Sequence, residues 1–238
     1  MTGEEYELLY KRYLTRSPKE MLEMAGMKQG MAVLDLCCGS NGRASKAALE
    51  MGASYVCAVD ENPMAVKLRT QDIDVFSGTI DDFFNQLNVG KAYMKCMSSE
   101  SKVYPCIKFD LVICQQAINY WIKDDSNIHY IKEIMNVGAK FVFNTFNKCP
   151  SEKVTVKQYD IDGRSYVEMV NYYKNAQNIS EDYTGVIYHT QAVNGLPPHH
   201  TEFAWISPEE YRLIFSCGWD VEVKTDNNTD IYICTKIT

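Results

Sequence analysis

The sequence lacks several things, and each absence excludes a class of protein. No apolar run approaches the ~18 residues that a membrane-spanning helix needs. No basic run or tail is present, and 24 Lys and Arg face 31 Asp and Glu, a formal net charge of −7. That balance argues against nucleic acid as a partner, because affinity for phosphates comes from Lys and Arg. There is no C-x-x-C pair and no spaced set of Cys and His ligands, so no metal site is expected. Histidine is scarce, with four in 238 residues, and His199-His200 is the only adjacent pair. No internal repeat or low-complexity tract occurs. The opening MTGEEYELL is acidic and polar and does not read as a signal peptide. Nine scattered cysteines, several inside predicted buried strands, read as reduced core residues of a reducing compartment. The expectation is a cytoplasmic protein without membrane contact.

What is present is an ordinary globular composition, 46% hydrophobic, in a length that suits one domain or one domain with an elaboration. The organising stretch is residues 31–42, MAVLDLCCGSNG. It reads as a buried strand over 32–36, a tight turn, and a helix from about Arg43. Asp35 breaks the apolar run near the strand's carboxyl end. A charge there is costly unless it is paired or faces a ligand crevice, and in an open α/β sheet that crevice lies beyond the strand ends. In the turn, Gly39 and Gly42 can take positive φ, and Asn41 tolerates it better than most residues. A second strand, 55–59, ends at Asp60, 21 residues beyond Gly39. That is about the spacing at which a second-strand carboxylate takes the two hydroxyls of a ribose.

VLDLCCGSNG followed by VCAVDENPMAV resembles the cofactor-binding half of class I S-adenosylmethionine-dependent methyltransferases of the small-molecule type. The family pattern is hydrophobic-x-Asp/Glu-x-Gly-x-Gly-x-Gly. Asp35 and Gly39 match it, Cys37 stands for the first glycine and Asn41 for the third, with Gly42 beside it. The resemblance implies an α/β fold: a doubly wound, Rossmann-like sheet of order 3-2-1-4-5-7-6 with the last strand antiparallel. It implies S-adenosyl-L-methionine as cofactor, S-adenosyl-L-homocysteine as product, and Asp35, Cys37, Gly39, Asn41, Asp60 and Glu61 at the cofactor. A carboxylate at Asp35 would repel the pyrophosphate of a dinucleotide but suits a sulfonium and an ammonium.

Residues 4–14 place Tyr6, Leu9, Tyr10, Tyr13 and Leu14 near one helical face. They are either plain packing or, with Arg16, a lid over the cofactor such as many small-molecule methyltransferases carry. Ser17-Pro18-Lys19-Glu20 is a capped helix start running to about Met24. A first crossover helix is expected over 43–51, a second from Met64 to about Arg69, and a third strand over 73–76. In the resembling family the next loop meets the adenine, which makes Asp81 and Ile80 candidates; the competing reading is that Asp81 or Asp82 caps a helix over 83–87. Residues 88–108 interrupt the alternation. A fourth strand, 109–114, leads to Gln115 and Gln116, candidates for the donor's amino group, and to Asn119 and Tyr120 on the acceptor side; each amide could instead cap a helix or face solvent. A helix over 127–137 closed by Gly138 and a fifth strand over 140–144 follow.

Residues 150–206 do not read as a crossover. Alternation around Asp162-Gly163, then over 185–193 and 200–206, predicts a small antiparallel sheet. The expected organisation is a methyltransferase core of 1–149 and 207–238, with lid helices in 1–30, and an inserted sheet of 150–206 for acceptor binding, for a homodimer contact, or for both. Trp205 belongs to the aromatic crowd on that sheet, which suits an acceptor wall or an ordinary core. His199 and His200 are either a general base or polar loop residues after Pro197-Pro198. Ser207-Pro208 starts a helix to Cys217, and a hairpin about Asn227-Asn228 closes the chain. The function expected is methyl transfer to an O or N atom of a small-molecule acceptor. The alternatives are a methyltransferase acting on tRNA or protein and a non-catalytic partner protein of the same fold.

Overall fold

The computed structural model describes residues 16–89, 108–122, 125–148, 154–161, 164–174, 185–193, 198–226 and 229–238. The elements in chain order are α1 (Pro18–Met24), β1 (Ala32–Leu36), α2 (Arg43–Glu50), β2 (Tyr55–Asp60), a 3-10 turn (Pro63–Leu68), β3 (Ile73–Ser77), α3 (Ile80–Val89), β4 (Phe109–Cys114), α4 (Ile118–Trp121), α5 (Asp125–Ile134), β5 (Met135–Phe146), β6 (Thr155–Ile161), β7 (Arg164–Lys174), β8 (Gly185–Val193), β9 (His199–Trp205), α6 (Pro208–Ile214), β10 (Trp219–Asp226) and β11 (Thr229–Lys236).

Seven strands form one sheet in the order β3-β2-β1-β4-β5-β11-β10. The first five run parallel to one another, and β11 runs antiparallel to both β5 and β10. Numbered within this sheet alone, the order is the expected 3-2-1-4-5-7-6. Successive residues of each strand alternate between two cores, as the pleat requires. Val33, Val56, Ala58, Ile113 and Val142 meet α1, α2 and the 3-10 turn on one face. Leu34, Leu36, Val112, Phe141 and Phe143 meet α3, α4, α5 and α6 on the other. Both faces are covered, which is why the strands read as continuous apolar runs.

Caps set the helix starts. Ser17 with Glu20 and Ser207 with Glu210 form complete capping boxes. Thr79 with Asp82 does the same for α3, whose first helical residue is therefore Ile80 rather than Phe83. Four expectations shift. The segment after Asn62 is a 3-10 turn, capped by the Asn62 side chain, and not an α-helix. α5 ends at Ile134, and Met135 to Gly138 already belong to β5: Phe109 pairs with Met135 and Leu111 with Lys140, a bulge that Gly138 at φ 82° makes passable. α6 ends at Ile214. Residues 18–24, expected within a lid, are a core layer, because Met21 and Leu22 are fully buried against the sheet.

The four remaining strands form a second sheet, an antiparallel meander β6-β7-β8-β9. Its two faces differ. Tyr166 and Glu168 of β7 are buried, while Val167 and Met169, their alternates, are exposed together with Val156 opposite Met169. The sheet joins the core through β9: Trp205 and Ile206 are buried, and the Asn119 side chain of α4 donates to the Ala204 carbonyl at 2.9 Å.

Candidate active site

β1 and β4 are neighbours, yet the chain leaves them toward opposite faces, into α2 and into α4. Such a switch point opens a crevice at the carboxyl edge. Among the described residues, the two non-glycine residues at positive φ are Cys37 (56°) and Gln116 (58°). They stand one and two residues beyond the ends of these two strands. Backbone held in a sparsely populated region marks both lips of the crevice.

On the β1 side the loop turns on three left-handed residues, Cys37, Gly39 (68°) and Gly42 (53°). Cys37 thus takes a conformation that glycine adopts most readily, and Gly42, not Asn41, supplies the last left-handed residue. A side chain at Gly42 would also meet Leu68, with its Cβ 2.6 Å from Leu68 Cδ1. Asp60 holds the loop from β2: Oδ2 accepts from the Gly39 amide at 2.7 Å and Oδ1 from the Asn62 amide at 2.8 Å. Each carboxylate oxygen keeps a further lone pair, and the residue is half-buried. Cys38 donates its amide to the Val59 carbonyl at 3.1 Å. Contact with Cys114, then burial, holds the Cys37 thiol well above its usual range, and burial does the same for Cys38. Neither is a nucleophile at neutral pH.

Asp35 does not reach into the crevice. It is 2% exposed and lies on the α2 face, paired in register with Ala58 and Ile113. Its Oδ2 accepts from the Ser45 amide at 2.9 Å and from the Ser45 hydroxyl at 2.6 Å. Burial pushes its carboxyl up to about 7 against the pull of these two bonds.

On the β4 side, Gln115 donates its side-chain amide to the Arg16 carbonyl at 3.1 Å. Arg16 pairs through Nε with Asp226 at 2.9 Å and also approaches Glu20. Asn144 at the end of β5 accepts from the Gln116 amide at 2.7 Å. Asn119 is nearly buried: beyond its bond to Ala204, its Oδ1 accepts from the Thr145 hydroxyl at 3.0 Å. Tyr120 is half-buried beside it and Trp205 is buried.

At the far side of the crevice, Ile80 is 6% exposed and packs in the core. Asp82 completes the capping box with Thr79, and Asp81 and Glu61 are exposed. Asn41 is half-buried in the loop. His200 is exposed, with Nδ1 2.9 Å from the Thr190 hydroxyl, and shares its register row with Met169 and Val156, the open face of the second sheet. His199 pairs with Gln191 in the row of buried Glu168. Tyr10 and Tyr13 lie outside the described residues. Three polar residues of the site were not anticipated: Ser45, Asn144 and Thr145. Asn144 and Thr145 follow an apolar run at the end of β5, a signal of the same kind as Gln115 after β4.

The family model for the FtsJ-like methyltransferases matches residues 19–174, about two thirds of the sequence. The chain belongs to the FtsJ-like methyltransferase family. It is an S-adenosylmethionine-dependent methyltransferase. No curated protein matches this methyltransferase significantly by sequence. Solved structures resemble it along nearly its whole length. A methyltransferase from Clostridium acetobutylicum superposes with a TM-score of 0.67 at 14% identity, covering 98% of both chains. An amino pentose methyltransferase of calicheamicin biosynthesis from Micromonospora echinaspora, solved with S-adenosylmethionine bound, gives 0.64 at 13%, covering 97% of this chain and 96% of its own. A sugar N-methyltransferase from a Streptoalloteichus species gives 0.58 at 13%, covering 98% and 93%. At such identities the likeness establishes the fold.

The side chains at this edge suit the cofactor. S-adenosylmethionine carries positive charge and no phosphate, and the loop presents backbone and the carboxylate of Asp60. Among the described residues, no three His, Cys, Asp or Glu side chains converge as a metal site. No helix there is long and apolar enough to cross a membrane.

Proposed function

We propose that this methyltransferase moves the methyl group of S-adenosylmethionine to an oxygen or nitrogen of a small molecule, with the cofactor lying across the carboxyl ends of β1, β2 and β4. The observation that carries this reading is the clamp of Asp60 on Gly39. It fixes the loop by one lone pair of Oδ2 and leaves both carboxylate oxygens able to accept from a vicinal diol. Gln115 and Gln116 at the end of β4 are the candidates for the cofactor's amino group. Glu61, Asn41, Ile80 and Asp81 border the same edge, and Cys37 and Gly39 line the loop.

The sulfonium supplies a methyl group already bound to a good leaving group. The protein's task is then to hold an acceptor atom in line and about 3 Å away. The second sheet, fixed to α4 through Asn119 and Ala204, is the candidate acceptor wall, with Tyr120 and Trp205 beside the join. Of the two histidines, His199 is the better candidate base, because its register row runs through buried Glu168 rather than along the open face. The amino pentose and sugar N-methyltransferases of the same fold support a small polar acceptor. The family also includes RNA methyltransferases, but the net charge of −7 opposes a polyanionic substrate.

Calorimetric titration with S-adenosylmethionine, with NAD as control, tests the cofactor placement. Asp60→Asn keeps the shape and one acceptor but removes the charge; binding is expected to weaken by about tenfold or more. Unchanged affinity in this variant would overturn the placement. Labelled methyl transfer from S-adenosylmethionine to a panel of amino sugars and hydroxylated amines, run beside tRNA, tests the acceptor class. Label in RNA alone would sink the small-molecule reading.

A further inference from the structure

The first turn of α2 lacks a cap of its own. Its N-cap residue is Gly42, which has no side-chain oxygen, and its first turn holds no acidic residue. An uncapped helix start leaves amides without partners. Here the missing oxygen comes from the neighbouring strand, where Asp35 Oδ2 takes both the amide and the hydroxyl of Ser45. Both residues are almost wholly buried. The cofactor loop spans the six residues between β1 and α2, so this pair staples its two ends together.

The pair also holds a charge in balance. Ala58 and Ile113, on the flanking strands, offer Asp35 no polar group. Asp60 on β2 repels its ionised form, Arg43 on α2 attracts it, and the Cys38 thiol beside it stays protonated. Burial favours the neutral acid, and the two Ser45 bonds favour the carboxylate.

We propose that Ser45 is a positioning residue that acts through Asp35, so that binding of the cationic cofactor favours the ionised carboxylate and expels its proton. This rests on the cofactor placement proposed above. The sign follows from linkage. Burial pushes the Asp35 carboxyl up to about 7 in the free protein, and a sulfonium and an ammonium bound at the loop that Asp35 anchors would lower that value. Affinity therefore rises with pH between the bound-state and free-state values, by at most about tenfold per pH unit for one proton, and levels off above.

The test is calorimetric titration with S-adenosylmethionine from pH 5.5 to 8.5, each point in two buffers of different ionisation enthalpy, on wild type, Ser45→Ala and Asp35→Asn. In the wild type, affinity should rise about tenfold from pH 6 to 8 with proton release. In Asp35→Asn both should vanish, and in Ser45→Ala the midpoint should move to higher pH. A wild-type profile without slope or release, a slope retained in Asp35→Asn, or an unmoved midpoint in Ser45→Ala would each overturn the proposal. If the variants do not fold, the wild type still decides. Proton release must be smaller with S-adenosylhomocysteine, which lacks the sulfonium charge, and equal release overturns the linkage. The cofactor placement fails separately, through unchanged binding in Asp60→Asn.

Discussion

The two sheets bury their residues by different rules. The seven-stranded sheet is covered on both faces, and its central strands are apolar at nearly every position. The four-stranded sheet is covered on one face, and β7 alternates buried Tyr166 and Glu168 with exposed Val167 and Met169. The first arrangement makes a rigid edge on which a cofactor loop can be fixed to within a hydrogen bond. The second leaves a sheet that joins the core at β9 and whose buried face tolerates a carboxylate. On the proposed reading, cofactor binding and acceptor recognition fall on parts of the molecule built to different tolerances.

The largest expected effect lies in the covered sheet. Phe143 is fully buried and stacks on Tyr232 with ring centroids 4.8 Å apart. Phe143→Ala should cost roughly 3–5 kcal/mol in chemical denaturation. A loss under about 1 kcal/mol would mean that the core relaxes more than its packing implies. At the cofactor loop, Gly42→Ala combines a left-handed alanine with a contact to Leu68. A cost of about 2 kcal/mol is expected, along with weaker S-adenosylmethionine binding, read by denaturation and by titration. The join of the sheets comes next. Asn119→Ala leaves the Thr145 hydroxyl and the Ala204 carbonyl without this partner, at about 1–3 kcal/mol. Hydrogen exchange should quicken along 199–205 while cofactor affinity stays within about twofold, a change of roughly 0.4 kcal/mol. If affinity falls together with stability, the two sheets are not separable in function. The smallest effect belongs to the open face, where Val156→Thr should stay within about 0.5 kcal/mol of wild type.

The pH dependence of stability sharpens the same contrast. The Asp35 carboxyl is raised from its unfolded value of 3.8 to about 7 in the folded protein. The folded state therefore binds the proton more tightly. The stability this contributes is fully present below about 4 and is lost as pH rises to about 7. Thermal melts of wild type should fall over that window relative to Asp35→Asn. Parallel curves would show that Asp35 does not titrate there.

Much of the fold was legible because its signals are local. Ser17-Pro18 and Ser207-Pro208 announced their helices by a cap and a proline, and FDLVIC announced β4 to the residue. The start of β5 was not legible, since Met135 to Gly138 continue a helical pattern, and only the bulge opposite Phe109 makes them strand. At the site, the type of residue was readable and its employment was not. Asp60 was marked by its place at the end of a strand and by its spacing from the glycine. Asp35 looked like a ligand for the cofactor, but strand parity turns it onto Ser45, ten residues away. Asn119 looked like an acceptor contact, but it is engaged by groups 26 and 85 residues away.

The sequence by itself therefore determined the order of the elements, the strand that leads into the Gly39 loop, and the presence of an added antiparallel sheet. Hydrophobic period, caps and turn residues are properties of neighbouring positions. Tertiary structure decided which of Asn41 and Gly42 turns left-handed, that Asp35 takes the Ser45 amide while Asp60 takes that of Gly39, and that His200 lies on the open side of the second sheet. Those choices depend on register and on partners brought together from distant parts of the chain, and a hydrogen bond between distant residues leaves no period in the sequence.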